Sequence, residues 1–174
     1  MNAEKMTQKA MEALEAAHAD AVRKGHPELT TLHLLQALLD QEHGLTGNLL
    51  GKMGKDPGIL QQAVSEELGK LPTFNGASGR VAASGGMNQV LVRSDDEAKQ
   101  LGDEYVSVEH LLLAILEEGK GGSAGRLLQE QSIRRKELLK TLKEVRGGQR
   151  VTNRNPEDTF EALEKYGSDL TLLA

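Results

Sequence analysis

From its first segment onward, the chain repeats apolar positions with a helical period. Ala10, Leu14, Ala17 and Ala21 stand at i, i+4, i+7 and i+11, one face of an amphipathic helix. Thr7 precedes that face where an N-cap belongs, and Gly25 follows it where a helix stops. A second helix reads from about Thr31 to Gln41. Its Leu32, Leu34, Leu35, Leu38 and Leu39 leave almost no polar face, which predicts the buried centre of a helical unit. A short third helix covers about Gly47–Met53 and ends at Gly54. A fourth begins at Asp56-Pro57, a cap followed by proline at the first helical position, and runs to about Leu71 before Pro72. Residues 73–86, with Asn75-Gly76-Ala77-Ser78-Gly79 and Ser84-Gly85-Gly86, read as a flexible connection. No stretch reads as a convincing strand; Val90-Leu91-Val92 is too short and lies among helical signals.

The pattern then starts again. At an offset of 77 residues Leu14 matches Leu91, Ala21 matches Ala98 and Gly25 matches Gly102. His33-Leu34-Leu35 matches His110-Leu111-Leu112, and Ala37 and Leu39 match Ala114 and Leu116. With one residue inserted, Gly47 matches Gly125, Leu49-Leu50 matches Leu127-Leu128, and Leu60 matches Leu138. The expected fold is therefore all-α: two tandem four-helix repeats packed with pseudo-twofold symmetry, since such units rarely bury their apolar faces alone. The expected organisation is a repeat domain over 1–148, with repeat one at about 1–72, the connection at 73–86 and repeat two at about 87–146. Residues 147–174 form a linker and lead-in. Asn155-Pro156 caps an expected ninth, short helix at about Glu157–Tyr166, and the apolar ending Leu172-Leu173-Ala174 reads as a cut in a longer polypeptide.

Composition narrows the function. The formal net charge of −5 argues against a nucleic-acid partner, which a basic face would serve. Aromatic residues are Phe74, Phe160, Tyr105 and Tyr166, too few for base-stacking platforms. The absence of cysteine excludes disulfides, a thiol nucleophile and cysteine zinc sites, and suits the cytoplasm. The Met1-Asn2-Ala3-Glu4-Lys5 start lacks a signal-peptide core, and no apolar run approaches the ~20 residues of a membrane span.

Catalytic motifs are missing. Gly47–Met53 and Gly119-Lys120-Gly121-Gly122-Ser123 both fail the phosphate-loop spacing Gly-x-x-x-x-Gly-Lys-Ser/Thr. His18, His26, His33, His43 and His110 include no His-Glu-x-x-His pair, and no Ser/His/Asp set has a strand–turn–helix context. His33 and His110 hold equivalent places early in the central helix of each repeat. They read as a structural slot rather than as metal ligands, for which no further partners stand out.

The doubled pattern, Leu32-His33-Leu34-Leu35 with Ala37-Leu38-Leu39 and Val106-Ser107-Val108-Glu109-His110-Leu111-Leu112-Leu113-Ala114-Ile115-Leu116, resembles the N-terminal domain of the Clp ATPases over about residues 1–148. Leu163, Lys165-Tyr166 and Asp169-Leu170-Thr171 resemble the junction to the first ATPase domain in the disaggregase branch of that family. The resemblance implies a mobile module of a hexameric, ATP-driven disaggregase that works with the DnaK system after heat stress. The module would bind exposed stretches of unfolded or aggregated proteins and pass them to the pore. ATP and Mg²⁺ would belong to ATPase domains outside this chain, and the isolated chain would be a monomer without catalysis of its own. Substrate handling in such domains implies Thr7, Asp103 and Glu109 here; Val92 and Tyr105 are candidate apolar contributors in place of the family's leucines, whereas Leu91 reads as core from its helical register. Each of the trio also has a local explanation: Thr7 as an N-cap, Glu109 at the positive end of a helix dipole, Asp103 as a solvated turn residue. The sequence departs from the family in two places. Related domains hold phosphoarginine with a glutamate in each repeat, but Leu32 stands opposite Glu109. A leucine-lined groove in some members has Arg93, Glu97 and His110 at its places here. A docking site for a folded adaptor, and a passive spacer over the pore, are the alternative readings.

Overall fold

The computed structural model describes residues 3–74, 80–147 and 149–156. Eight α-helices occur among them: α1 (Gln8–Arg23), α2 (Thr31–Asp40), α3 (Leu45–Lys52), α4 (Pro57–Gly69), α5 (Gly85–Gln100), α6 (Val108–Leu116), α7 (Ser123–Glu130) and α8 (Arg135–Arg146). The first four and the last four form the two expected repeats. The expected helix at 157–166 and the junction residues Leu163 to Thr171 lie outside the described residues.

The central helices explain why neither repeat stands alone. In α2 nearly every side chain from Thr31 to Leu39 is buried, and in α6 every one is. An isolated four-helix unit could cover only part of such a helix. Here α2 and α6 pack on each other, and the other main helix contacts between repeats are reciprocal: α3 meets α6 and α8 while α7 meets α2 and α4, and α1 meets α6 while α5 meets α2. Burying each leucine is worth roughly 1.5–3 kcal/mol, and the buried leucines of both helices join one continuous core.

The reciprocity extends to the backbone. The residue before the N-cap of the first helix in one repeat pairs, in parallel, with the residue before the N-cap of the central helix in the other. Met6 bridges Val106, and Leu29 pairs with Ala83 in a strand pair made of β1 (Glu28–Leu29) and β2 (Ala82–Ala83). The Thr7 N–H donates to Val106 C=O at 2.9 Å, and the Ser84 N–H to Leu29 C=O at 2.9 Å. These pairs correct two expectations. Strands do exist, although each is only two residues long. The end of the 73–86 connection is also held in the structure, because its N–H groups complete a ladder with the other repeat.

The caps repeat too. Thr7 Oγ1 accepts from the Ala10 N–H at 3.2 Å, and Ser84 Oγ from the Met87 N–H at 3.1 Å. Gly25 and Gly102 end α1 and α5 with φ of +70° and +72°, which L side chains adopt only at a cost. In both cases the next residue but one beyond the helix cap donates back across the last turn, His26 to Ala21 C=O and Asp103 to Ala98 C=O, a Schellman closure.

Candidate functional site: two polar corners and two grooves

The Schellman closure aims residue 26 in one repeat and residue 103 in the other at the start of the following helix. There the third helical residue is histidine in both repeats. The Thr30 N–H donates to His33 Nδ1 at 3.0 Å, and the Ser107 N–H to His110 Nδ1 at 2.8 Å. This is a capping box with histidine where glutamate or glutamine is usual. Because Nδ1 receives a backbone N–H, the ring proton lies on Nε2, which is left to donate outward. His33 Nε2 meets His26 Nδ1 at 2.8 Å, and His110 Nε2 meets Asp103 Oδ2 at 2.7 Å. Both histidines thus fill the structural slot read from the sequence, each orienting the corner of its repeat.

The corners differ in charge. In repeat one, burial and the adjacent His26 push His33 down to about 4, and burial with the nearby Lys24 charge also lowers His26. In repeat two the corner is ionic. Arg146, at the end of α8, reaches Asp103 Oδ2 at 3.0 Å and pairs with Glu109 Oε1. Burial opposes ionisation of Asp103, yet hydrogen bonds from His110 and from the Val151 N–H, with the Arg146 charge, hold its carboxyl below the ordinary value. Burial likewise acts against Glu109, and its neighbours His110, Arg146 and Ser107 more than offset it. Asp103, Glu109 and His110 also bring ligand atoms within 4.8 Å of one another, a set that could hold a metal ion; here the Arg146 guanidinium supplies the positive charge among them.

The structure therefore brings Asp103 and Glu109 together, but not at the surface. Glu109 is fully buried and Asp103 retains 8% exposure, so Asp103 is no solvated turn residue. Thr7 is fully buried as the cap of α1 and bonds through its N–H to Val106, on the chain leading into α6. Tyr105 is half-buried against the core.

Val92 lies elsewhere, 64% exposed. With Arg93, Asp96, Ala114 and Glu117 it lines an open groove of ≈590 Å³ between α5 and α6. The matching groove between α1 and α2 has ≈400 Å³, with Glu12, Ala16, Ala37 and Asp40 in the places of Gln89, Arg93, Ala114 and Glu117. Where repeat two exposes Val92, repeat one has exposed Glu15. Of the three residues expected to line a groove, Arg93 does so. His110 is fully buried in the corner. Glu97 is 4% exposed and held by Arg135 at 2.6 and 2.7 Å, which ties α8 to α5.

Arg146 was not legible as a site residue in its own segment. The repeat alignment does hold a signal for it. With the inserted residue counted, Arg146 stands opposite Leu68, as Glu109 stands opposite Leu32. Both leucines are buried, so two buried leucines of one repeat stand where the other has an ion pair.

Together these features define a doubled helical repeat domain with a polar corner and a surface groove in each half. The chain belongs to the Clp repeat (R) N-terminal domain family, whose pattern matches residues 5–131. It is 47% identical over 98% of its length to the chaperone protein ClpB of Nitratidesulfovibrio vulgaris. It is 38% identical over 99% of its length to chaperone protein ClpB 1 of Synechococcus elongatus. The chain spans about a fifth (20%) of the length of these relatives. In fold it resembles the Hsp104 N-terminal domain from Candida albicans, with a TM-score of 0.76 at 24% identity over 88% of this chain and 99% of that one. It also resembles the N-terminal domain of the ClpV1 ATPase from E. coli, with a TM-score of 0.72 at 22% identity over 83% and 87%.

Proposed function

We propose that this chain is the substrate-binding N-terminal domain of a ClpB-type disaggregase. It captures unfolded or aggregated proteins after heat stress and directs them to the pore of a hexamer that works with the DnaK system in the cytoplasm. Catalysis belongs to ATPase domains that use ATP and Mg²⁺, and this domain by itself is a monomer that binds without turnover. The observation that carries the reading is the match to ClpB proteins across nearly the whole chain. Among the described residues no helix is long and apolar enough to cross a membrane.

Within that reading the α5–α6 groove is the contact surface. Val92 offers an apolar foothold, and Arg93, Asp96 and Glu117 around it suit clients that share only exposed, unfolded character. A small apolar contact in an open groove gives weak, reversible capture, which transfer to a pore requires. Thr7, Asp103 and Glu109 serve the site from behind the surface, by fixing the corner from which α6 projects; half-buried Tyr105 packs beside it. A ClpV N-domain has been solved in complex with a VipB peptide; docking of one defined segment of a folded partner is the second reading. Affinity capture from lysate separates the two: a broad range of unfolded proteins supports client capture, and one stoichiometric folded partner supports docking. If deleting residues 1–148 from the full-length protein left disaggregation of every client unchanged, the domain would be a spacer and both readings would fail.

A further inference from the structure

After α8 the described residues of the chain stay against the domain. Residues 149–156 lie in the seam between the two repeats. Val151 is fully buried; its N–H donates to Asp103 Oδ1 at 2.9 Å, and its C=O accepts from the Glu104 N–H at 2.8 Å. Three residues on, the Arg154 C=O accepts from the Gln8 N–H at 2.8 Å, and Arg154 Nε donates to the Met6 C=O at 3.3 Å. The Arg150 guanidinium packs over Gly102, about 3.3 Å from where a Cβ would stand. The segment thus bonds to repeat two at Asp103–Glu104 and to repeat one at Met6–Gln8.

Among the described residues, repeat one shows no such arrangement. The chain leaving α4 reaches its stop glycine through Phe74 N–H to Gly25 C=O at 2.8 Å, and the Phe74 side chain stays 65% exposed. The reason lies in two substitutions at the same corner. Pro27 stands where repeat two has Glu104, and proline has no N–H to give. His26 stands where repeat two has Asp103, and its Nδ1 is already taken by the His33 Nε2–H. Asp103, by contrast, has a second oxygen: Oδ2 receives His110 and Arg146, leaving Oδ1 for Val151.

We infer that residues 149–156 form a latch seated by Asp103, so that the chain is anchored to both repeats as far as Pro156 rather than released at Gly147. Asp103 and Thr7, which resemblance ties to substrate handling, then act as positioning residues. One holds the latch through its side chain, and the other caps the helix whose first N–H, that of Gln8, closes it. This inference is independent of what the grooves bind.

Amide hydrogen exchange and limited trypsinolysis on the 174-residue chain test it. The Val151, Glu104 and Gln8 amides are expected to exchange at least about tenfold more slowly than unstructured reference amides, with Arg150 and Arg154 resistant to trypsin. Asp103→Ala removes that protection and opens both cleavage sites. Because it also strips partners from His110 and Arg146, Val151→Asp serves as the second variant. It puts a charge at a fully buried core position of the segment itself and leaves the Asp103, Glu109, His110 and Arg146 side chains in place, and is expected to free the same amides while those of α2 and α6 stay protected. Reference-rate exchange in the unmodified chain would overturn the latch. So would retained protection at Glu104 and Gln8 in Val151→Asp.

Discussion

Replacing Arg146 by leucine removes the cation shared by two buried carboxylates. The Arg146 side chain is 7% exposed, and those of Asp103 and Glu109 are fully buried, so water cannot step in to solvate what is left. Breaking a buried pair by removing one partner costs about 3–5 kcal/mol, whereas exchanging the whole pair for apolar residues is often neutral or stabilising. Repeat one already displays the exchange, with buried Leu32 and Leu68 at the equivalent places. Arg146→Leu alone is therefore expected to lower unfolding free energy by about 3–5 kcal/mol in urea titrations. In a domain of this size that corresponds to a fall in Tm on the order of 10 °C. Glu109→Leu combined with Arg146→Leu copies repeat one and is expected to recover at least about 2 kcal/mol of that loss. Asp103 keeps the His110 and Val151 donors in the double variant, so its charge is not abandoned. A double variant no more stable than Arg146→Leu alone would refute the reasoning, as would a single variant costing under about 1 kcal/mol.

Three further outcomes follow from local geometry. His33 is held at about 4 in the folded chain, against an ordinary value of 6.5. The unfolded chain then takes up a proton first as pH falls below 6.5, and stability drops until about pH 4. Between pH 8 and pH 5 this one group is expected to remove about 2 kcal/mol, and an NMR titration should find the His33 ring still neutral at pH 5; protonation there would contradict the expectation. Asp103 and Glu109, both lowered, add their losses only at more acid pH, below the ordinary carboxylate range. Thr7→Ala deletes the α1 cap and is expected to cost about 1 kcal/mol in chemical denaturation, with Ser84→Ala matching it at α5. Gly102→Ala forces a side chain into φ of +72° against Arg150; a loss of about 1–2 kcal/mol and faster cleavage at Arg150 are expected, and no change in either would count against the packing described.

The doubling was legible because its signals are local and strong: a helical period, a hydroxyl cap and a stop glycine recurring at one offset. His33 and His110 could be read as structural because they repeat with that pattern. The parallel pairs at Met6–Val106 and Leu29–Ala83 left no trace, since two residues cannot display an alternation. Asp103 looked solvated because a polar residue after a stop glycine usually is. Only the Schellman closure and the histidine opposite show why it turns inward. Arg146 was hidden among the other basic residues of α8, and its meaning appears only when Leu32 and Leu68 are set beside Glu109 and Arg146. Val92 was visible as an apolar residue on α5, but its exposure depends on where α6 packs.

Titration of the chain with an unfolded, non-aggregating protein, followed by ¹⁵N chemical shifts, tests the proposed function most directly. The account predicts shifts that saturate together around Val92, Arg93 and Glu117 of the α5–α6 groove. Weaker shifts should relay to the corner at Asp103 and Glu109, and none should appear in the α1–α2 groove at Glu12, Ala16 and Asp40. No shifts in the α5–α6 groove, or equal shifts in both grooves, would contradict it.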